Sequence, residues 1–192
     1  MSASAAVQDV LAALHKLYHD PDPRAKSQAN EALLRFQKTP DAWSTANALL
    51  LAQELPLESR LFAAQTFRAK VTFDLESLAV ADRVALRDRL LHALAMYARG
   101  PRVVQTQLCL ALAALALQLS EEQWGRVVPG MIEQFGGSPE TVGVLLEFLT
   151  VLPEEVATNA RIPVDNATYH ERVPLLLTAH AGTVLEVLAM YM

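Results

Sequence analysis

Apolar residues recur three and four positions apart along almost the whole chain, and strand-type alternation is absent. That spacing puts the apolar positions on one side of a helix. The first such run covers about 5–18, with Val7, Val10, Leu11, Leu14 and Leu17 in register. His19-Asp20-Pro21-Asp22-Pro23 then reads as a tight turn, in which Asp22 is a good N-cap and Pro23 suits the first helical position. A second helix follows to about 38, with Ala29, Leu33 and Phe36 on one face. Thr39-Pro40-Asp41 opens a third helix carrying Trp43, Ala46, Leu50 and Leu51, and Leu55-Pro56 ends it. A fourth helix over 57–73 aligns Leu61, Ala64, Phe67 and Val71.

The pattern continues with helices over about 80–98, 102–119, 121–135 and 140–152. Arg99-Gly100-Pro101 and Gly136-Gly137-Ser138-Pro139 separate them, and a looser stretch is expected from Pro153-Glu154-Glu155. A last helix is expected from about 166 to 192, bent at Pro174 and Gly182. Odd-numbered helices begin near 5, 41, 80, 121 and 166, a spacing close to the rough 40–47-residue period of HEAT and armadillo arrays. A helical hairpin cannot cover its own apolar face, so neighbours stack into a continuous core. The fold expected is therefore all-α: a right-handed HEAT-repeat α-solenoid of stacked antiparallel hairpins. A four-helix bundle is the rival architecture, and the number of helices and their regular period favour the solenoid. Residues 1–192 are expected to form one array of about four and a half repeats. The final helix has no polar capping unit after it, so the chain is expected to be the N-terminal part of a longer solenoid.

Composition narrows the possible functions. Of 192 residues, 52% are apolar and 19% charged, which excludes a disordered chain. The net charge of -5 argues against a direct nucleic-acid binder. Charge is unevenly placed: residues 120–192 hold three basic against ten acidic side chains, a balance of -7 that suits a basic partner. A single cysteine, Cys109, excludes a disulfide framework, and its setting among Leu108, Leu110 and Ala111 reads as a buried apolar position. The start of the chain lacks the features of a signal peptide. The uncharged run 103–120 approaches transmembrane length, but its polar ends and alanine-rich centre fit a buried helix better, so no membrane partner is expected.

Catalytic motifs are missing. There is no Gly-rich phosphate loop, no G-x-S-x-G elbow and no H-E-x-x-H helix, because Val173 and Pro174 follow His170-Glu171-Arg172. His15, His19, Asp20 and Asp22 could in principle hold a metal, but a helix end followed by a capped turn is the simpler reading. Asn166-Ala167-Thr168 matches a glycosylation sequon that has no secretion signal to accompany it. No catalytic, metal or cofactor site is expected.

Several segments resemble a known family. Tyr18-His19-Asp20-Pro21-Asp22-Pro23, with Ala29-Asn30-Glu31-Ala32-Leu33 and Phe36-Gln37, resembles the first HEAT repeat of importin-beta-type transport receptors. Residues 62–71 are similar to the second helix of their second repeat, and 106–113 to their third. The run 145–155, Leu-Leu-Glu-Phe-Leu-Thr-Val-Leu-Pro-Glu-Glu, is the most specific piece. Together they resemble the transportin-SR branch, receptors that import serine/arginine-rich and other RNA-binding proteins, over about 7–156.

The resemblance implies a carrier shuttling between cytoplasm and nucleus. Its N-terminal repeats would bind the GTPase Ran in its GTP form. Basic SR- or RGG-rich cargo and nucleoporins would meet the full-length receptor. The second helix of each hairpin would line the concave face, which nominates Lys70, Arg68 and Gln65 on the fourth helix. Gln107 on the sixth and Asn30 and Ser27 on the second extend the same face. Lys70 matches a family lysine and is the leading candidate for a Ran contact. For each of these residues the ordinary alternative is a solvated polar position. Leu61, Phe67, Leu112 and Leu115 are expected in the core. The competing function is a helical-repeat scaffold binding a partner protein or peptide outside transport; a compact helical enzyme is a distant third.

Overall fold

The computed structural model describes residues 3–158 and 161–191. Among them are eleven α-helices and no strand: α1 (Ala3–His19), α2 (Pro23–Phe36), α3 (Ala42–Leu51), α4 (Leu57–Asp74), α5 (Val80–Met96), α6 (Arg102–Gln118), α7 (Glu121–Trp124), α8 (Val127–Phe135), α9 (Val142–Thr158), α10 (Asn166–Leu177) and α11 (Ala181–Ala189). A short 3-10 turn, Leu75–Ser77, follows α4. The fold class is all-α with a helical-repeat layout, and helix starts at 42, 80, 121 and 166 keep the expected period. The described chain divides into two compact units, residues 1–70 and 71–192.

In the first unit α1 and α2 form a hairpin, and α1 also packs on α3. The joint between α1 and α2 is the capped turn expected from the sequence. Asp22 Oδ1 accepts from the Arg24 N–H at 2.9 Å, Asp20 Oδ1 accepts from the Asp22 N–H at 2.9 Å, and Pro23 begins α2. Val10, Leu14, Ala29, Leu33, Leu49, Leu50 and Phe67 are buried. Each such leucine or phenylalanine contributes about 1.5–3 kcal/mol of apolar burial.

The second unit is built around α6, on which α5, α9 and α10 pack. Val104, Leu108, Leu112 and Leu115 are wholly buried, so the uncharged run is a core helix, as its alanine content suggests. Gln105 clamps the turn before it: one amide nitrogen donates to the carbonyls of Tyr97 (2.7 Å), Ala98 (3.2 Å) and Gly100 (3.1 Å). Burial also pushes the Cys109 thiol well above its ordinary range, with the charge of Glu147 adding to the shift.

Three expectations are corrected. The helix expected over 121–135 is two, α7 and α8. Pro129 has no N–H for the Gly125 carbonyl, and its ring would crowd that carbonyl, so the chain restarts with Pro129 in the first turn of α8. Pro153 does not loosen the chain: α9 runs through it to Thr158, and buried Val151, Leu152 and Val156 on both sides hold it.

The long last helix is α10 and α11, and its expected end at Met192 lies outside the described residues. The break falls at 178–180, where Thr178 N–H and Ala179 N–H both donate to the Pro174 carbonyl, and Gly182 sits inside α11. By length and composition alone, Asn166–Ala189 is apolar enough to cross a membrane. Here it is divided by that turn, and Arg172 and Leu176 are sealed inside the unit.

Candidate functional site

The candidate positions of the first unit lie on α2 and α4. On α2, Ala29 and Leu33 face inward, while Ser27 and Asn30, three residues apart and therefore neighbours on the helix surface, are exposed. On α4, Phe62, Thr66, Phe67 and Lys70 are buried, Gln65 is exposed and Arg68 is half-buried. Gln65 and Arg68 are again three apart, so they too share one face. Leu61, expected in the core, is half-buried beside Gln65, whereas Phe67, Leu112 and Leu115 are core residues.

Lys70 is not on this surface. It is only 3% exposed, its Nζ donates to the Thr39 carbonyl at 3.0 Å, and it lies 5.1 Å from the centroid of the Trp43 ring. It is thus neither the accessible contact nor the solvated position expected. The reason is register: 62, 66 and 70 recur every four residues along the buried side of α4, so Lys70 does not share the face of Gln65 and Arg68. One turn earlier, Thr66 Oγ1 accepts from Gln37 Nε2 at 3.0 Å and donates to the Phe62 carbonyl at 2.7 Å. The Trp43 and Phe67 rings stand 6.3 Å apart at 50° against the same region.

Gln107, the remaining candidate, lies half-buried on α6 in the second unit. Its neighbours form a polar cluster absent from the expected set. Glu147 on α9 accepts from the Thr106 hydroxyl at 2.5 Å and from Arg102 Nε and Nη2 at 3.2 and 2.9 Å. The Thr106 hydroxyl, and then Arg102, hold the Glu147 carboxyl below its usual value; partial desolvation works the other way. Near α10, a shallow apolar groove of about 290 Å³ is lined by Leu149, Leu152, Pro153, Leu177, Val184 and Leu185, among others.

The succession of helices defines the class first: an all-α protein of helical-repeat layout. Comparison with known proteins supplies the family. Residues 29–96 match the importin-beta N-terminal domain, and residues 101–192 match the family described as Exportin 1-like protein. The chain is 39% identical to Transportin MOS14 of Arabidopsis thaliana over 145 residues, 74% of this chain and 15% of that protein. It is 34% identical to Importin-13 of Homo sapiens over 163 residues, 82% of this chain and 17% of that one. An uncharacterized protein of Schizosaccharomyces pombe is 32% identical over 185 residues, 96% of this chain and 19% of it. These findings support a karyopherin of the importin-beta superfamily. The chain spans less than a fifth of the length of these relatives.

Proposed function

We propose that this chain is the Ran-GTP-binding, N-terminal region of a nuclear import receptor of the transportin-SR branch. The observation that carries the reading is the importin-beta N-terminal match over 29–96, because that span contains Asn30, Gln65, Arg68 and Lys70. Ser27 adjoins it, on the same face of α2 as Asn30. The resemblance of 145–155 to the transportin-SR branch and the identity with Transportin MOS14 support the finer assignment.

In this reading Ser27, Asn30 and Gln65 supply hydrogen bonds to Ran, and Arg68 supplies charge for its carboxylates. Lys70 acts from inside, and Gln107, on α6 of the second unit, is proposed as a contact in its own right. The charge-dependent part of the encounter weakens with salt. The -7 balance of residues 120–192 supports a full-length receptor that attracts basic SR- or RGG-rich cargo. Such a receptor also contacts nucleoporins and shuttles between cytoplasm and nucleus.

The test is a pull-down of this chain against Ran loaded with GTP or GDP. Capture of the GTP form in clear preference is expected, and Arg68→Glu with Gln65→Ala should reduce it. Equal capture of both forms, or none, refutes the reading and favours a repeat scaffold outside transport.

A further inference from the structure

We infer that Lys70 is a positioning residue of the proposed Ran-binding face: its ammonium latches the turn after α2 to α4 and so fixes the two exposed rows relative to each other. The inference rests on the Ran reading given above and assigns Lys70 a part in it without contact to Ran.

The latch has two teeth on one side of one helix. Thr66 and Lys70 stand one turn apart on the buried face of α4. Thr66 takes the side-chain amide of Gln37, the residue that follows α2 as its C-cap. Lys70 takes the backbone carbonyl of Thr39, two residues on. Between them the turn is wound tightly. Gln37 N–H donates to the Leu33 carbonyl at 3.0 Å, and Thr39 N–H and its hydroxyl both donate to the Phe36 carbonyl at 2.9 and 2.8 Å. The same Thr39 carbonyl also accepts from Ala42 N–H at 3.3 Å, the first residue of α3. One lysine therefore touches the point where α2 ends and α3 begins.

Burial makes this grip sensitive. A lysine that has lost its water depends on the acceptors and the ring around it, and without the ammonium the Thr39 carbonyl keeps only the longer bond from Ala42 N–H. The Trp43 face within 5.1 Å adds a cation–π contact and places a fluorophore at the latch. The rows that the latch aligns carry Ser27 and Asn30 on one helix and Gln65 and Arg68 on the other. A shift of the turn at 37–41 moves the first pair against the second. A protein partner touching both would register the change as lost affinity, although no contact residue had been altered.

The experiment compares the unaltered chain with Lys70→Met, Lys70→Arg and Thr66→Val. Ran-GTP affinity is read at about 50 mM and about 300 mM salt, with amide exchange over 37–43 and Trp43 emission read alongside in Trp124→Phe backgrounds. Lys70→Met should weaken Ran-GTP binding about tenfold, by a factor that stays the same at both salt concentrations. It should also speed exchange at 37–43 and shift Trp43 emission.

Thr66→Val should act in the same direction without any change of charge, and Lys70→Arg should restore most of the affinity. Circular dichroism identifies a variant that has simply unfolded, in which case Thr66→Val and Lys70→Arg decide. A Lys70→Met loss that fades at high salt would mark a direct ion pair with Ran and overturn the latch. So would unchanged exchange at 37–43. If the unaltered chain fails to bind Ran-GTP, the Ran reading falls and this role with it, and the exchange data then separate that failure from failure of the latch.

Discussion

Arg172 is a buried cation whose removal should destabilise the second unit. It is 1% exposed, on α10, and nothing in its apolar-and-polar spacing marks it as internal. Its Nε and Nη2 donate to the Ala116 carbonyl at 3.2 and 2.8 Å, and Nη2 also donates to the Trp124 carbonyl at 2.9 Å. Ala116 lies in the last turn of α6 and Trp124 is the last residue of α7, so one guanidinium serves the carbonyl ends of two helices. Those ends carry unpaired acceptors and partial negative charge, which a cation satisfies. Burial lowers the pKa of the guanidinium, and Glu121 and Glu171 act against that shift.

A hydrogen bond to a charged donor contributes about 1.5–3 kcal/mol, and part of this is offset by the burial of the cation. Arg172→Ala also leaves a hole and two stripped carbonyls, for a net loss of about 2–4 kcal/mol. For a chain of this size that is a fall in melting temperature of roughly 5–15 °C. Calorimetry gives the shift, and amide exchange should show α10 opening first. Arg172→Met separates packing from capping: it keeps most of the volume and none of the donors, and should still lose more than half of the effect. A methionine variant as stable as the parent would refute the reasoning, because the desolvation cost would then equal the capping gain.

Three further predictions follow from the second unit. Thr106→Val removes the largest influence on Glu147, so its carboxyl should titrate closer to its usual 4.5 in carbon-detected NMR. Because the folded pKa is depressed, the stabilisation by Glu147 is complete above that usual value and is lost as pH falls through the folded one. The variant should therefore lose stability at neutral pH and show a flatter acid limb in a pH series of melts. Cys109 is wholly buried with its thiol pushed up, so thiol reagents should label it only at the rate of opening, and immediate labelling in native buffer would contradict its placement. Alanine should divide the glycines. At Gly136 an added methyl would sit 2.7 Å from the Ile132 carbonyl and destabilise, whereas Gly182, in the open on α11, should gain up to about 1 kcal/mol, both read by denaturant midpoint.

Long-range order was largely legible in the sequence because it depends on patterns that local physics enforces. The repeat starts, the capped turn at Asp22 and the buried nature of α6 all follow from spacing, N-cap chemistry and alanine content. The prolines are legible only in part: spacing carries one helix through Pro129, loosens the chain at Pro153 and bends a helix at Pro174. Pro129 does divide a helix, but Pro153 and Pro174 lie within helices whose buried residues outweigh the lost hydrogen bond.

The candidate site was legible by helix and not by side. Ser27, Asn30 and Gln65 emerge at the surface, yet Lys70 turns inward, because a lysine's charge argues for solvent while its position four residues after Thr66 puts it on the packed face of α4. The segments that resemble the family contain Gln37, Thr66, Lys70, Thr106 and Glu147, and each of these makes a hydrogen bond between one helix and another helix or the turn after α2. A single sequence shows such residues only as polar letters in an apolar context, since the partner lies 29, 31 or 41 positions away. Their position in the motifs therefore has a physical reason separate from partner binding: a stacked array needs polar struts as well as apolar faces to set the register of its helices.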